Sequence, residues 1–480
     1  MQVKQLILAV AATLAAGSVL AAPVTPQQIG QARSAGTLQE TWISGASAPT
    51  FNIFRGFELG CDANSVSLFS NSSSDTSVRP GSLGNYAAYA CTRGGVVSVV
   101  YHTVFDGSLN AYAPHVSGTQ LQRLRRLENA SCAVAAGAFP GHVNYKSCTL
   151  VNPAATPDGA IAKPAGGFSD VEASLFGLDV AAAGTEVEAN VGQTFGVAVS
   201  IPLYRALQVA QGIYATVAAA NTADAAFSPA NAPNISSAQY SSIIARESGY
   251  QTDWSPLVGE AQGAGKRVQV ERRVASSGTQ ASSNAHFLKS PCSEGAAANL
   301  APAAATDSTP SFVVTEHSGS GNVKTALTAR GNDTNVNNRF AIGVLSMENN
   351  WRSETAPANA GYRYLKLDGV HPEAGSVDAN GNGTADGIEF ARNTAINGDY
   401  GFHIEMRSFV ANTADAFGAE LIPAITSALG NPANCSDVPR GLTLSPLGGA
   451  SCSTGSASEL AVVAKGTRFG NNCAPQQLFF

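Results

Sequence analysis

Short runs of apolar, β-branched residues alternate along the 480-residue chain with stretches whose apolar positions recur at helical spacing. "GVVSVVYHTV" (95–104) predicts a buried strand. "QTFGVAVSI" (193–201) predicts another, followed at once by "PLYRALQVAQGIYATVAAA" (202–220) with helical spacing and Pro202 in its first turn. "RFAIGVLSM" (339–347) and "YRYLKLDGV" (362–370) are two further strands. This alternation predicts an α/β fold with mostly parallel sheets. No internal repeat is evident, and the Ala/Pro/Ser/Asn-rich stretches 70–85, 152–167, 221–238 and 293–310 are expected to be surface loops or insertions.

The first residues change the picture. Lys4, an apolar run from Leu6 to Leu20, and Val19-Leu20-Ala21 make residues 1–21 an expected secretory signal peptide, cleaved after Ala21. The product is then a soluble periplasmic or secreted protein with no direct membrane insertion. In that setting the eight cysteines read as disulfides, not zinc ligands. Neighbours are expected to pair, Cys61 with Cys91 and Cys132 with Cys148. Two of Cys292, Cys435, Cys452 and Cys473 would tie the C-terminal tail to the body. With 13% charged residues, a net charge of −6 and no basic run, nucleic acid is not an expected partner. The one basic cluster, "LQRLRRLEN" (121–129), is expected to form a solvated helix face.

Four segments carry candidate chemistry. "TWISGASAPTFNIFRGF" (41–57) is a strand, a small-residue turn and an amphipathic helix, with Ser47 as the expected N-cap and free N–H groups at the helix start. "VFDGSLNAYAPH" (104–115) places Gly107 and Ser108 after a strand. "GGFSDVEASLFG" (166–177) places Asp170 where a carboxylate either caps a helix or accepts a hydrogen bond from a protonated oxyanion; facing a fully ionised anion it would only repel. "ERRVASSGTQASSNAHFL" (271–288) is the most informative. Arg273 can give two parallel hydrogen bonds to an oxyanion, Ser277 and Thr279 offer hydroxyls, and the N–H groups of Gly278 and Thr279 lie where a helix would start. Taken singly, each segment also has an ordinary reading as a cap, a turn or an ion pair.

In their order the segments resemble the phosphate-binding proteins of bacterial phosphate ABC transporters, and more broadly the type II periplasmic-binding-protein superfamily. The residues carrying the resemblance are "ISGASAPTF", "GFSD" and "RVASSGT", followed by "TEHSGSGNVKTAL", "FAIGVLS", "GYRYLKLDGVHP" and "NGDYGFHIE", spread over about residues 40 to 410 with expanded loops between them. The resemblance implies a two-lobe type II periplasmic-binding-protein fold. Lobe 1 would comprise residues 22–190 and 348–480, and lobe 2 residues 191–347. It implies that Arg273, Ser277, Gly278 and Thr279 bind oxyanion oxygens, that Asp170 accepts the ligand proton, and that Ser108 adds a hydroxyl. Where the family has a hydroxyl residue followed by an N–H, this chain has Pro49; the Thr50 N–H and Ser47 hydroxyl are the available substitutes. An inner-membrane ABC permease is the partner so implied, with no cofactor required at the ligand site.

"DANGNGTADGIE" (378–389) fits the twelve-residue calcium-loop pattern. Asp378, Asn380, Asn382, Thr384 through its carbonyl, Asp386 and Glu389 would be the ligands of a structural calcium; the alternative is an Asn/Gly-rich turn. No enzyme motif is present: there is no G-x-S-x-G elbow and no H-E-x-x-H, and "SGSGN" (318–322) lacks the lysine of a phosphate-binding loop. A Ser277 pairing with His286 or His317 is the one conceivable hydrolase arrangement. The expected function is therefore non-enzymatic capture of phosphate or a similar tetrahedral oxyanion. The alternative is an extracellular interaction or adhesion protein that keeps the fold without tight anion binding.

Overall fold

The computed structural model describes residues 22–75, 83–129, 131–136, 142–245, 252–292, 300–306, 309–351, 361–373, 393–431, 442–444, 464 and 466–478. The expected signal peptide, the calcium-type loop from Asp378 to Glu389, Cys435 and Cys452 lie outside these residues.

One mixed sheet runs through the molecule. Its principal strands are β1 (Gln39–Gly45), β2 (Ser67–Ser70), β3 (Tyr86–Arg93), β4 (Val96–Thr103), β5 (Gly166–Ser169), β6 (Gly184–Ser200), β7 (Val268–Arg273), β8 (Phe312–His317), β9 (Ala341–Ser346), β10 (Tyr362–Tyr364) and β11 (His403–Ala411). The spatial order is β8-β7-β9-β6-β11-β5-β1-β4-β3-β2, with two short edge strands, Val143–Lys146 and Ala133–Val134, beyond β2. β7 is parallel to both β8 and β9, and β1 is parallel to both β4 and β5, whereas the central β6 and β11 run antiparallel to each other.

β6 belongs to both halves of the sheet, and its residues show why. From Gly184 to Glu188 it pairs with β11 and no residue is fully buried; from Val191 onward every position is buried. From Phe195 to Val199 it pairs with β9. The pairing with β11 slips between Glu188 and Gly192, a local irregularity where the strand passes from one half to the other. Each half has its own core. Phe195, Val197, Val199, Val270, Ile342 and Val344 anchor one. In the other, Ile43, Phe54, Tyr89 and Ile425 pack on one sheet face and Trp42, Phe69, Tyr101 and Leu124 on the opposite face. The architecture is thus α/β with two lobes joined through β6 and β11.

Several expectations shift. The return to lobe 1, placed at residue 348 from the resemblance, falls at β11. Tyr362, Tyr364, Leu367, Tyr400 and Phe402 all pack in the lobe 2 core, because β10 pairs with Ala198–Ser200. The helix expected over 202–220 is α2 (Ile201–Ala210), ended by Gly212 at φ 69, and a separate helix follows at Val217–Ala223. The segment 121–129 is not a solvated helix: Arg123–Leu124 is a short strand, and the fully buried Arg123 guanidinium pairs with Asp158 at 2.6 Å over the Tyr101 ring. Among the described residues, three disulfides join Cys61 to Cys91, Cys132 to Cys148, and Cys292 to Cys473. The first two are the expected neighbour pairs and the third ties the tail to lobe 2.

Candidate functional site

In an open α/β sheet, loops leaving the carboxyl ends of parallel strands meet at one crevice. Here six such ends supply the candidate residues. β1 leads to Ser47 and Thr50, β4 to Ser108, β5 to Asp170, β7 to Arg273 and Ser277, β8 to Ser318–Ser320, and β9 to Glu348. The first three strands belong to lobe 1 and the last three to lobe 2, so the group lies where the lobes face each other.

Direct contacts close this junction. The Leu109 N–H donates to the Ser276 carbonyl at 2.9 Å. Gly107, at φ 87, packs so closely that a side chain there would meet the Ser277 Cα at 3.1 Å. Gly278 has even less room: a Cβ would stand 2.4 Å from Ser108 Oγ and 2.5 Å from Asp170 Oδ2. The glycine of "SSGT" is therefore explained by close approach of the two lobes as well as by the start of helix α3 (Gly278–Ser283).

Asp170 is buried. Its Oδ2 accepts from Ser108 Oγ at 3.0 Å, and the Asp170 N–H donates to the same hydroxyl oxygen at 3.2 Å. Its Oδ1 is buried with no protein partner. Burial pushes this carboxyl up to about 6; the bond from Ser108 opposes the rise, the Glu348 charge adds to it, and Arg273 opposes it. Arg273, also buried, donates through Nη1 to Ser320 Oγ at 3.1 Å and through Nη2 to the Ser318 carbonyl at 2.8 Å, leaving Nε unpartnered. Burial lowers its pKa, while Asp170, Glu348 and Asp106 favour its charge. Ser277 is the N-cap of α3 but its hydroxyl makes no capping bond, and Thr279 is buried in the first turn. The opening N–H groups of a helix have no carbonyl of their own to meet.

Ser47 and Thr50 are placed differently. They line an open cleft of about 590 Å³ together with Phe51, Gly319, Ser320, Lys324 and Glu348. Helix α1 (Thr50–Glu58) begins on one wall and α4 (Ser320–Gly331) on the other, so both positive helix ends face the cleft. Ser320 connects the two groups, since it lines the cleft and accepts from Arg273. The expected cap is corrected: Pro49 is the N-cap of α1, and Ser47 is exposed. The Thr50 N–H is also not free, because it and the Thr50 hydroxyl both donate to the Ser47 carbonyl, at 3.2 and 2.6 Å. The free donors at this helix start are accordingly the Phe51 and Asn52 N–H groups.

No family model matches the chain, and no curated protein matches it. Solved structures similar at low identity include the following two. One is a protein assigned as a phosphate ABC transporter substrate-binding protein, with bound phosphate, from Clostridium perfringens: 12% identity, 81% of this chain and 93% of that one, TM-score 0.35. The other is an ABC-type phosphate transport receptor from Vibrio cholerae: 11% identity, 54% of this chain and 72% of that one, TM-score 0.28. The assignment of the site rests on its own geometry.

Sequence reading missed Glu348. It follows β9 as Asp170 follows β5, and that position, just past the carboxyl end of a core strand, was the available signal. Of the two histidines considered for a hydrolase arrangement, His317 hydrogen-bonds through Nε2 to Glu271 at 2.7 Å and His286 stacks on Phe402. Among the described residues no group of three or more His, Cys, Asp or Glu is placed to hold a metal ion, and no helix is long and apolar enough to cross a membrane.

Proposed function

We propose that the chain is a solute-binding protein that captures a protonated tetrahedral oxyanion, phosphate or a close analogue, between its two lobes. The observation supporting this most directly is the placement of a buried Arg273 and a buried Asp170 on opposite sides of the lobe junction, close enough to act on each other's charge and each with one polar atom left without a protein partner. A buried polar group without a partner costs roughly 1–3 kcal/mol, more when charged. A ligand offering both an anionic oxygen and an O–H would satisfy both groups at once. Ser108, Ser277, Thr279 and the N–H groups opening α3 would supply further hydrogen bonds, with the ends of α1 and α4 adding a favourable field. Ser47 and Thr50 would line the approach. Hinge closure about β6 and β11 would exclude water. Delivery to an inner-membrane ABC permease from the periplasm belongs to the same reading, as does a structural calcium at Asp378–Glu389, which melting with and without calcium would test.

Isothermal titration of the purified protein with inorganic phosphate tests the reading. Submillimolar binding is expected, weakened at least about 100-fold by Arg273→Ala, since charged hydrogen bonds are worth roughly 1.5–3 kcal/mol each. Absence of heat with phosphate, arsenate and sulfate alike would leave the extracellular interaction protein as the better reading.

A further inference from the structure

Besides the buried Asp170, an acid on the cleft wall acts on the same guanidinium, and the oxyanion reading does not by itself require it. Glu348 stands just after β9 and lines the cleft together with Ser320, Lys324 and the start of α1. One carboxylate oxygen, Oε1, accepts from Ser346 Oγ at 2.6 Å and from Asn349 Nδ2 at 3.2 Å. The other, Oε2, is buried without a hydrogen-bond partner, although part of the residue reaches solvent. Asp170 Oδ1 is in the same condition, and both carboxyls act electrostatically on Arg273.

The charges facing Glu348 are Arg273, Lys324 and Asp170, with Asp106 also acting on the guanidinium. Two cations thus face three acids. A ligand arriving as a dianion would meet a site with an excess of negative charge. A ligand arriving with two hydroxyl protons would satisfy both unpartnered oxygens and leave a single negative charge for Arg273 and the helix ends.

Resting on the oxyanion reading above, we propose that Glu348 is a second acceptor of a ligand proton, so that the site holds its oxyanion doubly protonated, as dihydrogen phosphate. Burial raises the Glu348 carboxyl, with Ser346, its own backbone, Arg273 and Lys324 opposing, so the carboxyl shares a proton with the ligand readily. Selectivity follows from the same chemistry. Sulfate carries no proton at neutral pH and would press unprotonated oxygens against two carboxylates.

The test is proton uptake on binding, measured by titration calorimetry in buffers of different ionisation enthalpy at about pH 8.5, where free phosphate is mainly the monohydrogen dianion. Wild type is expected to take up roughly one proton per phosphate bound, and Glu348→Gln close to none. The Gln variant should also bind sulfate at least about tenfold more tightly than wild type, because its amide can donate. Phosphate binding by wild type without proton uptake overturns the proposal while leaving the oxyanion reading standing, as does unchanged uptake in Glu348→Gln. No phosphate binding at all removes both. The wild-type measurement stands even if the variant fails to fold.

Discussion

Asp170 shows how one residue links stability to binding. Its folded carboxyl sits near 6 against an ordinary 3.8, chiefly through burial. A raised carboxyl contributes stability that is complete below the ordinary value and is lost as pH rises through the folded one. At pH 7 to 8 the ligand-free protein therefore holds a buried charge that the unfolded chain would hydrate, a difference of roughly 3 kcal/mol. Asp170→Asn keeps the shape and still accepts from Ser108. It should raise the thermal midpoint of the ligand-free protein at about pH 7.5, have little effect at about pH 4, and weaken phosphate binding at least about tenfold. Equal effects at the two pH values would show that this carboxyl is not held in a dry site. On the oxyanion reading, a proton-bearing ligand would relieve this cost.

At the scale of elements, the legible parts were those set by local pattern. β4 matches the expected strand to within one residue at each end and β9 to within two, because both are short, mostly apolar and β-branched runs that are almost wholly buried. The α3 segment was legible because Arg273 and "SSGT" combine a strand end with a helix start. The segment 121–129 was not, because alternating Arg and Leu at helical spacing looks solvated in sequence; only tertiary context reveals that Arg123 turns inward to Asp158 and lies over Tyr101 and near Trp42. The lobe boundary failed for the same reason, since pairing of β10 with β6 is a contact between residues far apart in the chain. Arg123→Ala tests the corrected placement. It leaves Asp158 buried without its partner and opens a gap beside two aromatic rings, so it should lower unfolding stability by roughly 3–5 kcal/mol in urea titration. A change under about 0.5 kcal/mol, normal for a solvated arginine, would restore the surface reading.

For the molecule as a whole, the tail is the segment that bridges the two lobes. Residues 467–472 are hydrogen-bonded to β11 and to Glu172. Glu405, on β11, accepts from the Thr467 hydroxyl at 2.6 Å and from the Arg468 and Gly470 N–H groups at 2.7 Å each. The Asn472 N–H donates to Glu172 at 2.9 Å, two residues beyond Asp170 on the lobe 1 side of the site. The next residue, Cys473, is bonded to Cys292, beyond the helical segment of lobe 2 that starts at Gly278. One stretch of chain is thus hydrogen-bonded to one lobe and covalently joined to the other. Opening the cleft must either break the bonds to Glu172 and Glu405 or stretch the backbone near residue 472. Cutting the bridge with Cys292→Ser plus Cys473→Ser should therefore do two separable things. It should lower stability by about 2–5 kcal/mol through a freer unfolded chain. It should also speed release of phosphate and enlarge the ligand-free radius of gyration in solution scattering, because the strap then moves with lobe 1 alone. A variant that is less stable but unchanged in release rate and radius would mean that the bridge acts only on the unfolded chain and that the hinge opens without disturbing the tail.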